Sequence, residues 1–485
     1  MLHMKKPDIR LDFKTYNAGV SALITIAILA GLILINLLIN ELELEADLTP
    51  KKLYSLSTQT ETLLERLEKP VEILVLSTPG EESESLIKTL ERYDNSSRYI
   101  DVRVLDPDRN PGRITRFTNE VSLISKGAVV VDSNDFFRVI NPEDFYDFTY
   151  DQLGRQQIIA QKIEQQISAA IAYVSSGSTQ KIYEIKGHQE NPLAESGYTE
   201  ILKRANFELG EISLILSAIP DDAALLTLIG PKLDISEAEA TKLNSYLENG
   251  GKLFVALDLT YNPMPNTSGL LRKWDIEVLP GLVMEFQKNR LIAEFSDNPF
   301  IFSPTVLNHE SLVPLIQGKL DPVFRGSMGY RRTQAQQKHL EYASLLASSD
   351  VSRLRTELTS EASSSATPIS SDLQGPVDVA VAVRERDSGN HTSEGARLVV
   401  LGSASSLAGL GFLGPIRANT DLVTNLLSWI TNNDSSVLIP SKSLYRLPLQ
   451  ISMVNGVVYS TITTIVIPLL CLGIGLVIHF HRRNR

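Results

Sequence analysis

Two acid–base side chains stand close together in the segment Gly187-His-Gln-Glu190, directly after a short apolar run. Histidine and glutamate at this spacing are able to transfer protons, provided that the fold brings them to a reacting group. A pair of this kind at the end of a strand is typical of a catalytic or small-ligand site. It is also typical of a polar turn held by its own hydrogen bonds, and the sequence favours that second interpretation.

Two further polar residues follow apolar runs in the same way. They are Asp258 and Ser403. In an open α/β sheet the ligand site lies at the carboxyl ends of the strands, so these side chains are expected to converge with His188 and Glu190. His188, Glu190, Asp258 and Ser403 are therefore the candidate ligand- or partner-binding residues.

Several patterns that would define an enzyme are absent from the sequence. The single cysteine, Cys471, lies in an apolar C-terminal segment, so no thiol nucleophile and no cysteine zinc site is expected elsewhere. The internal histidines lack a metal-ligand spacing, and neither a P-loop nor a Gly-x-Ser-x-Gly elbow occurs. A formal net charge of −11 argues against nucleic acid as a partner. We therefore expect no catalytic residue, no metal and no cofactor.

Two apolar segments, 17–40 and 456–480, predict membrane-spanning helices, because such a helix needs about 20 apolar residues. Basic residues lie in the flanking tails, 1–16 and 481–485, which the positive-inside rule places in the cytoplasm. The expected location is the bacterial cytoplasmic (inner) membrane, crossed twice, with about residues 41–455 extracytoplasmic. An uncleaved anchor is favoured over a signal peptide.

The segment Asp47 to Leu76 joins the first apolar segment to a folded domain. Thr58 and Glu61 predict a capping box that opens a helix. A following Lys-Pro pair ends that helix, because proline disfavours helical geometry in the residue before it. The run Val71 to Leu76 then predicts a buried strand.

Helix and strand patterns alternate through the rest of the chain, which predicts an α/β fold. Residues 41–179 are expected to form a small thioredoxin-like α/β domain. Residues 180–440 are expected to form a larger domain with a doubly wound, flavodoxin-like parallel sheet. A low-complexity stretch at about 360–375 is expected to be mobile, and residues 441–455 form a juxtamembrane segment.

Two local predictions in these domains depend on particular residues. Isoleucines at four-residue spacing predict a helix from Gln156 to Val174. Ser236 with Glu239 predicts a second capping box, since a serine followed three residues later by glutamate can satisfy two free backbone N–H groups.

The order of these segments resembles the GldG-like family, the auxiliary subunits of ABC transporters first associated with bacterial gliding motility. The resemblance rests on Asp47-Leu-Thr with Lys52-Leu-Tyr-Ser-Leu-Ser and Pro70-Val71; Asp106-Pro-Asp with Asn110-Pro111; Gly187-His-Gln-Glu190; Gly230 through Ser236 and Gly250-Gly251 to Asp258; and Gly402-Ser with Asn419 to Trp429. These segments span nearly the whole region between the two apolar segments. The sequence departs from the usual family pattern at Gln189, where glycine is common, and at Leu259, where proline is common.

The resemblance implies partners and a function. The implied partners are a membrane permease and a cytoplasmic ATPase, and the implied second domain is similar to class I glutamine amidotransferases without their cysteine. We expect a non-enzymatic, membrane-integrated subunit whose large domain binds a small molecule, a glycan or an envelope protein. The residues expected to position this domain for assembly are Asp47, Lys52, Tyr54 and Leu56.

Two other functions stay open at this point. An anchored hydrolase-like enzyme would use His188, Glu190 and Asp258 on a small amide or glycan. A structural component of an envelope or gliding-motility machine would need no ligand site.

Overall fold

The computed structural model describes residues 20, 23–34, 55–120, 124–133, 135–150, 155–177, 179–260, 262–357, 367–386, 395–408, 416–432, 442–443 and 460–483. Residues 1–55 and 56–485 form two separate units. In the first unit residues 20 and 23–34 are helical. The second unit contains every strand among the described residues.

The expectation of two terminal membrane-spanning helices is wrong for the described residues. None of their helices is both long and apolar enough to cross a bilayer. The C-terminal helix Ile467–Arg483 has 17 residues, for example, whereas a span needs about 20. The predicted two-pass location in the inner membrane is wrong for the same reason. Parts of the two predicted segments, 17–19, 21–22, 35–40 and 456–459, lie outside the described residues.

The first α/β region is built on a four-stranded sheet. Its elements are α1 (Thr58–Glu65), β1 (Val71–Leu76), α2 (Glu84–Ser96), β2 (Ile100–Leu105), α3 (Pro111–Glu120), β3 (Val129–Asp132) and β4 (Phe137–Ile140). The strand order is β2-β1-β3-β4, with β1 parallel to β2 and antiparallel to β3. Successive side chains of β1 enter separate cores, so the predicted strand is apolar along nearly its whole length.

The predicted helix from Gln156 to Val174 is only partly correct. A hairpin of β5 (Tyr146–Tyr150) and β6 (Gln156–Gln161) precedes α4 (Ile163–Ser176). The residues assigned to the first turns instead pair antiparallel with β5, from Tyr146 opposite Gln161 to Tyr150 opposite Gln156. The isoleucines from residue 163 onward lie in the helix, whereas Ile159 lies in β6. The prediction was too long because it counted Ile159 as part of the helical spacing.

The two predicted capping boxes have different outcomes. Ser57, not Thr58, caps α1, and its hydroxyl accepts from the backbone N–H of Thr60 at 3.3 Å. The box of Ser236 and Glu239 is confirmed, with both reciprocal hydrogen bonds present. The prediction at α1 is wrong by one residue, because serine and threonine are both favoured at the N-cap and Ser57 precedes Thr58 directly.

The second α/β region begins with β7 (Gln180–Ile185), α5 (Thr199–Arg204), β8 (Phe207–Ile212), β9 (Ala223–Ile229), α6 (Glu237–Glu248), β10 (Lys252–Ala256) and α7 (Pro265–Lys273). It continues with β11 (Ile276–Leu279), β12 (Leu282–Met284), β13 (Ile301–Phe302), β14 (Thr305–Val306), α8 (Val313–Gly318), β15 (Phe324–Arg325), β16 (Gly329–Arg332), β17 (Leu340–Ala347) and β18 (Arg353–Arg355). The last elements of this region are β19 (Leu373–Gln374), β20 (Asp378–Glu385), β21 (Arg397–Leu401) and α9 (Arg417–Thr431). After it, β22 (Lys442–Ser443) pairs with β6 of the first region, and α10 (Ile467–Arg483) is the last helix described.

The main sheet is mixed, not the all-parallel sheet that was expected. Its order is β11-β16-β20-β21-β10-β9-β7-β8, with β17 also paired with β20 and β14 paired with β17. The five strands from β21 to β8 are parallel. The strands beyond β21 are antiparallel and come from residues 276–385. One apolar core covers each face of the sheet.

A fully buried asparagine joins the two α/β regions. The Nδ2 of Asn206 donates to the carbonyl of Ala169 at 3.0 Å, and its backbone carbonyl accepts from Gln180 at 3.1 Å. Arg138, which stacks over the ring of Tyr173, donates to Asn206 Oδ1. The division into domains at residue 179 stays a prediction, and the two regions lie within one compact unit.

Part of the low-complexity stretch is held by a buried ion pair. Residues 360–366 lie outside the described residues, but Leu373–Gln374 form β19 and pair with β18. The guanidinium of Arg355 and the carboxylate of Asp372 are both fully buried and make two hydrogen bonds, at 3.1 and 3.0 Å. The composition of this stretch indicated mobility, whereas its second half is tied to the core.

Candidate functional site

The candidate site lies where the parallel strands of the main sheet end. Gly187 to Glu190 follow β7, Gly230 follows β9, Asp258 follows β10 and Ser403 follows β21. These four strands are neighbours in the sheet, so their carboxyl ends share one edge. The four segments therefore lie at one edge of the sheet, as the sequence predicted. The distances between their side chains decide which chemistry is possible there.

His188 is held between two buried carboxylates. Its Nδ1 lies 2.8 Å from Glu190 Oε1, and its Nε2 lies 3.1 Å from Glu239 Oε2. The side chains of the three residues are 6%, 4% and 2% exposed, in the order His188, Glu190, Glu239. An ionised carboxylate only accepts hydrogen bonds, so either the imidazole carries two protons or one carboxyl group is protonated. Either way, both ring nitrogens are already engaged.

Glu239 links this histidine to the start of α6. Its Oε2 also accepts from the backbone N–H and the hydroxyl of Ser236, at 2.9 and 2.8 Å. Burial alone would raise the pKa of the Glu239 carboxyl, but the hydrogen bonds from Ser236 and His188 outweigh it and lower the pKa. The carboxylate thus caps the start of α6 and binds His188 through the same oxygen.

Glu190 closes the turn after β7. Its carboxylate accepts from the backbone N–H groups of Gly187, at 3.1 Å, and His188, at 2.9 Å. Gln189, which lies between His188 and Glu190, has a φ of 61°. This is the left-handed region, which residues with a Cβ adopt only at an energetic cost. This conformation gives a physical reason for the glycine that is common at this position of the family pattern.

Replacing Gln189 with glycine is expected to raise the free energy of unfolding by about 0.5–1 kcal/mol. Removal of the Cβ relieves backbone strain of about 1–2 kcal/mol, and the greater freedom of glycine in the unfolded chain offsets part of that gain. Urea denaturation measures the difference. Gln189→Ala is the matched control, because alanine keeps the Cβ and should leave stability nearly unchanged. Equal stabilisation by both substitutions would contradict this explanation.

Asp258 and Ser403 meet the end of β21 and not the histidine turn. Asp258 Oδ1 accepts from the backbone N–H of Ser405 at 2.9 Å. The hydroxyl of Ser403, which is fully buried, donates to the carbonyl of Arg325 at 2.8 Å and also contacts the hydroxyl of Ser406. The structure therefore divides the four predicted residues into two pairs, each with its own structural partners.

The strand ends nevertheless approach one another closely. A Cβ built on Gly230 would lie 3.1 Å from Asn191 Nδ2 and 3.2 Å from the Cβ of Ala404, a tight fit that favours glycine where β9 ends. Gly230 also has a positive φ of 58°. The loops after β7, β9 and β21 are in contact here.

The residues predicted to assist assembly are mostly outside the described part of the chain. This holds for Asp47, Lys52 and Tyr54. Leu56 is described, and its half-buried side chain packs against the core of the first α/β region. Its contacts are those of a core residue at the start of the folded unit.

Two residues of this edge were not predicted as site residues. Glu239 was assigned to the helix cap alone, although it also binds His188. Asn419 ties the edge together from α9: its side chain binds both backbone groups of Val323 at 2.8 Å and the carbonyl of Ser406 at 2.8 Å. A buried amide must find hydrogen-bond partners, but several other polar residues lie in α9, so no signal in the sequence singled out Asn419. No group of His, Asp and Glu among the described residues has an arrangement that could hold a metal.

The chain is thus an α/β protein in which the acid–base side chains at the strand-end edge bind each other. Sequence comparison assigns it to a family. The chain belongs to the family described as ABC-type uncharacterized transport system, whose profile matches residues 179–425. It is an auxiliary component of an ABC transport system, as the resemblance to GldG-like proteins predicted. A second profile, for a domain of unknown function, matches residues 50–166.

Comparison with solved structures gives weaker similarities. The N-terminal domain of mmIFT52 is 16% identical, with 52% of this chain and 98% of that chain covered and a TM-score of 0.36. A putative ThuA-like protein from Bacteroides uniformis is 14% identical, with 53% and 94% covered and a TM-score of 0.31. No curated protein matches this chain.

Proposed function

We propose that this chain is a non-enzymatic subunit that associates with the permease and the ATPase of an ABC transport system and binds a substrate or a protein partner. The family assignment supports an auxiliary role in such a system. In this role the chain contacts the permease and the ATPase, binds a substrate or a protein partner, and does no chemistry itself.

The hydrogen bonding of His188 is the observation that carries the non-enzymatic part. A general base needs a free nitrogen within about 2.6–3.2 Å of the proton it removes. Both nitrogens of His188 face buried carboxylates instead, and Asp258 is bonded to a backbone N–H. These bonds favour a structural role for the groups that an enzyme would have used.

Affinity purification under mild detergent tests the association. The full chain carrying an affinity tag is expected to recover a permease and an ATPase in fixed ratio. Tyr54→Ser, which alters a residue of the proposed assembly segment, is expected to weaken recovery, and the exposed substitution Glu237→Gln serves as its control. Recovery of neither transporter subunit would refute the proposal.

The non-enzymatic part has a separate test. Soluble amide and glycoside substrates are incubated with the protein and with the His188→Gln variant. Turnover by the parent chain that disappears in the variant would show catalysis and overturn this part of the proposal. Equal background rates are expected.

A further inference from the structure

A small cavity lies at the opposite edge of the main sheet from the strand-end site. Its volume is about 210 Å³, and its floor is formed by Ala343 of β17 and Ala382 of β20, which face each other across the strands. The C-terminal end of α9 closes it with Trp429. That helix end is fixed at the amino ends of the parallel strands, since the carbonyl of Trp429 accepts from Arg397 at the start of β21. Two alanines at facing positions leave room that larger side chains would fill.

The rim of this cavity carries charges that neutralise each other in part. Arg384 donates from Nε to Glu341 at 2.7 Å and from Nη1 to Glu310 at 3.1 Å. Glu310 also accepts from the indole N–H of Trp429 at 2.5 Å. Among the described residues, one oxygen of each carboxylate and the second amino group of Arg384 have no hydrogen-bond partner and face the cavity. The rim thus offers acceptors and a donor side by side.

His309 adds a second donor. Its Nδ1 accepts from the backbone N–H of Ser311 at 3.2 Å, so Nδ1 carries no proton in the neutral ring and Nε2 carries it. Burial lowers the pKa of His309, which keeps the ring neutral at pH 7. The ring stands edge-on to Trp429, with centroids 5.0 Å apart. Among the described residues none accepts a hydrogen bond from Nε2.

These free donors and acceptors discriminate between ligand classes. An ammonium ligand only donates, and would leave the His309 and Arg384 donors facing a cation. A carboxylate ligand only accepts, and would face the carboxylates of Glu310 and Glu341. A hydroxyl both donates and accepts and carries no charge, so it can bind every one of these groups without desolvating a new ion.

We propose that this cavity binds a neutral polyhydroxylated ligand, a single sugar ring, with its C–H face against Ala343, Ala382 and Trp429. The hydroxyl groups bind Glu310, Glu341, Arg384 and His309. The volume lies below the roughly 300–1,000 Å³ of sites for drug-sized ligands, which suits one ring and not an oligomer held along its length. The inference deepens the proposed function by naming a ligand class, and rests on it only for the ligand's role in transport.

Saturation-transfer NMR on the full chain tests the binding itself. The probes are the methyl glycosides of glucose, galactose and mannose, with L-alanine, n-butylamine and acetate as the charged alternatives. At least one glycoside is expected to bind with a dissociation constant of roughly 1 mM. Ala343→Leu fills the floor and should weaken that binding roughly tenfold or more. Ala238→Leu, an equal change at an exposed position of α6, should not affect it.

A second variant separates loss of binding from loss of folding. His309→Asn removes the Nε2 donor but keeps a side-chain acceptor for the N–H of Ser311, and should weaken glycoside binding with an unchanged circular dichroism spectrum. The inference is overturned if no glycoside binds, if binding survives Ala343→Leu, or if the charged probes bind more tightly. Failure here with a permease and an ATPase still recovered would leave the proposed function intact.

Discussion

Replacing Asp372 with alanine is expected to lower the free energy of unfolding by about 3–5 kcal/mol. The carboxylate is the partner of Arg355, and both side chains have no exposed area. Without it, a guanidinium stays buried with an uncompensated charge, and the backbone N–H of Ile369 loses its acceptor at 2.8 Å. Urea denaturation of the full chain measures the loss.

The same pair makes stability depend on pH. Burial tends to raise the pKa of Asp372, but its hydrogen bonds from Arg355 and Ile369 outweigh burial and lower the pKa. The contribution is therefore fully present above the ordinary aspartate pKa of about 3.9 and is lost as the pH falls through the lower folded value. The difference between the parent chain and Asp372→Ala should accordingly shrink below about pH 4.

The control is an ion pair of similar length on the surface. Glu277 accepts from Arg331 Nε at 2.8 Å, but the arginine side chain is 55% exposed. Glu277→Ala should cost no more than about 1 kcal/mol, because solvent screens exposed pairs. Equal losses in the two variants would mean that burial does not set the strength of the Arg355–Asp372 pair.

Replacing Glu164 with alanine is expected to cost about 3 kcal/mol and to loosen two distant parts of the chain together. Its Oε1 accepts from the backbone N–H of Ser57 at 2.6 Å and from the hydroxyl of Thr60 at 2.7 Å. Its Oε2 lies 2.8 Å from Lys442 Nζ, where β22 pairs with β6. Hydrogen exchange should therefore accelerate both at Ser57 and along residues 442–443.

Glu65→Ala, at an exposed position of α1, is the control and should change stability by less than about 0.5 kcal/mol. Faster exchange at Ser57 alone, with the C-terminal strand unaffected, would show that Glu164 does not join the two segments.

The sequence predicted best those elements whose pattern is purely local. The strand Val71–Leu76 and the box of Ser236 and Glu239 were found with correct bounds, because continuous apolar runs and capping pairs need no distant partner. The antiparallel strand β17 was missed, since it is defined by pairing with β20 about 40 residues away. The membrane-spanning helices were predicted from apolar composition, and the described helices do not reach the length required.

The site was predicted less completely than the fold. Spacing placed His188 and Glu190 in one turn correctly, because the two residues are adjacent in the chain. It could not show that Glu239, from the next helix but one, takes the second nitrogen of His188. The cavity beside Ala343 and Ala382 left no signal at all, since two small residues become a cavity only when the strands align them.

The carboxylate of Glu164 has a mechanical consequence. Ser57 and Lys442 bind the two carboxylate oxygens of Glu164. A force that pulls residue 57 away from residue 443 is therefore resisted first by these contacts. Under this force the short pairing of β22 with β6 should break first, before force reaches the main sheet. A pulling experiment on the two ends of residues 57–443 should thus show a small early rupture, well before the sheet itself unfolds.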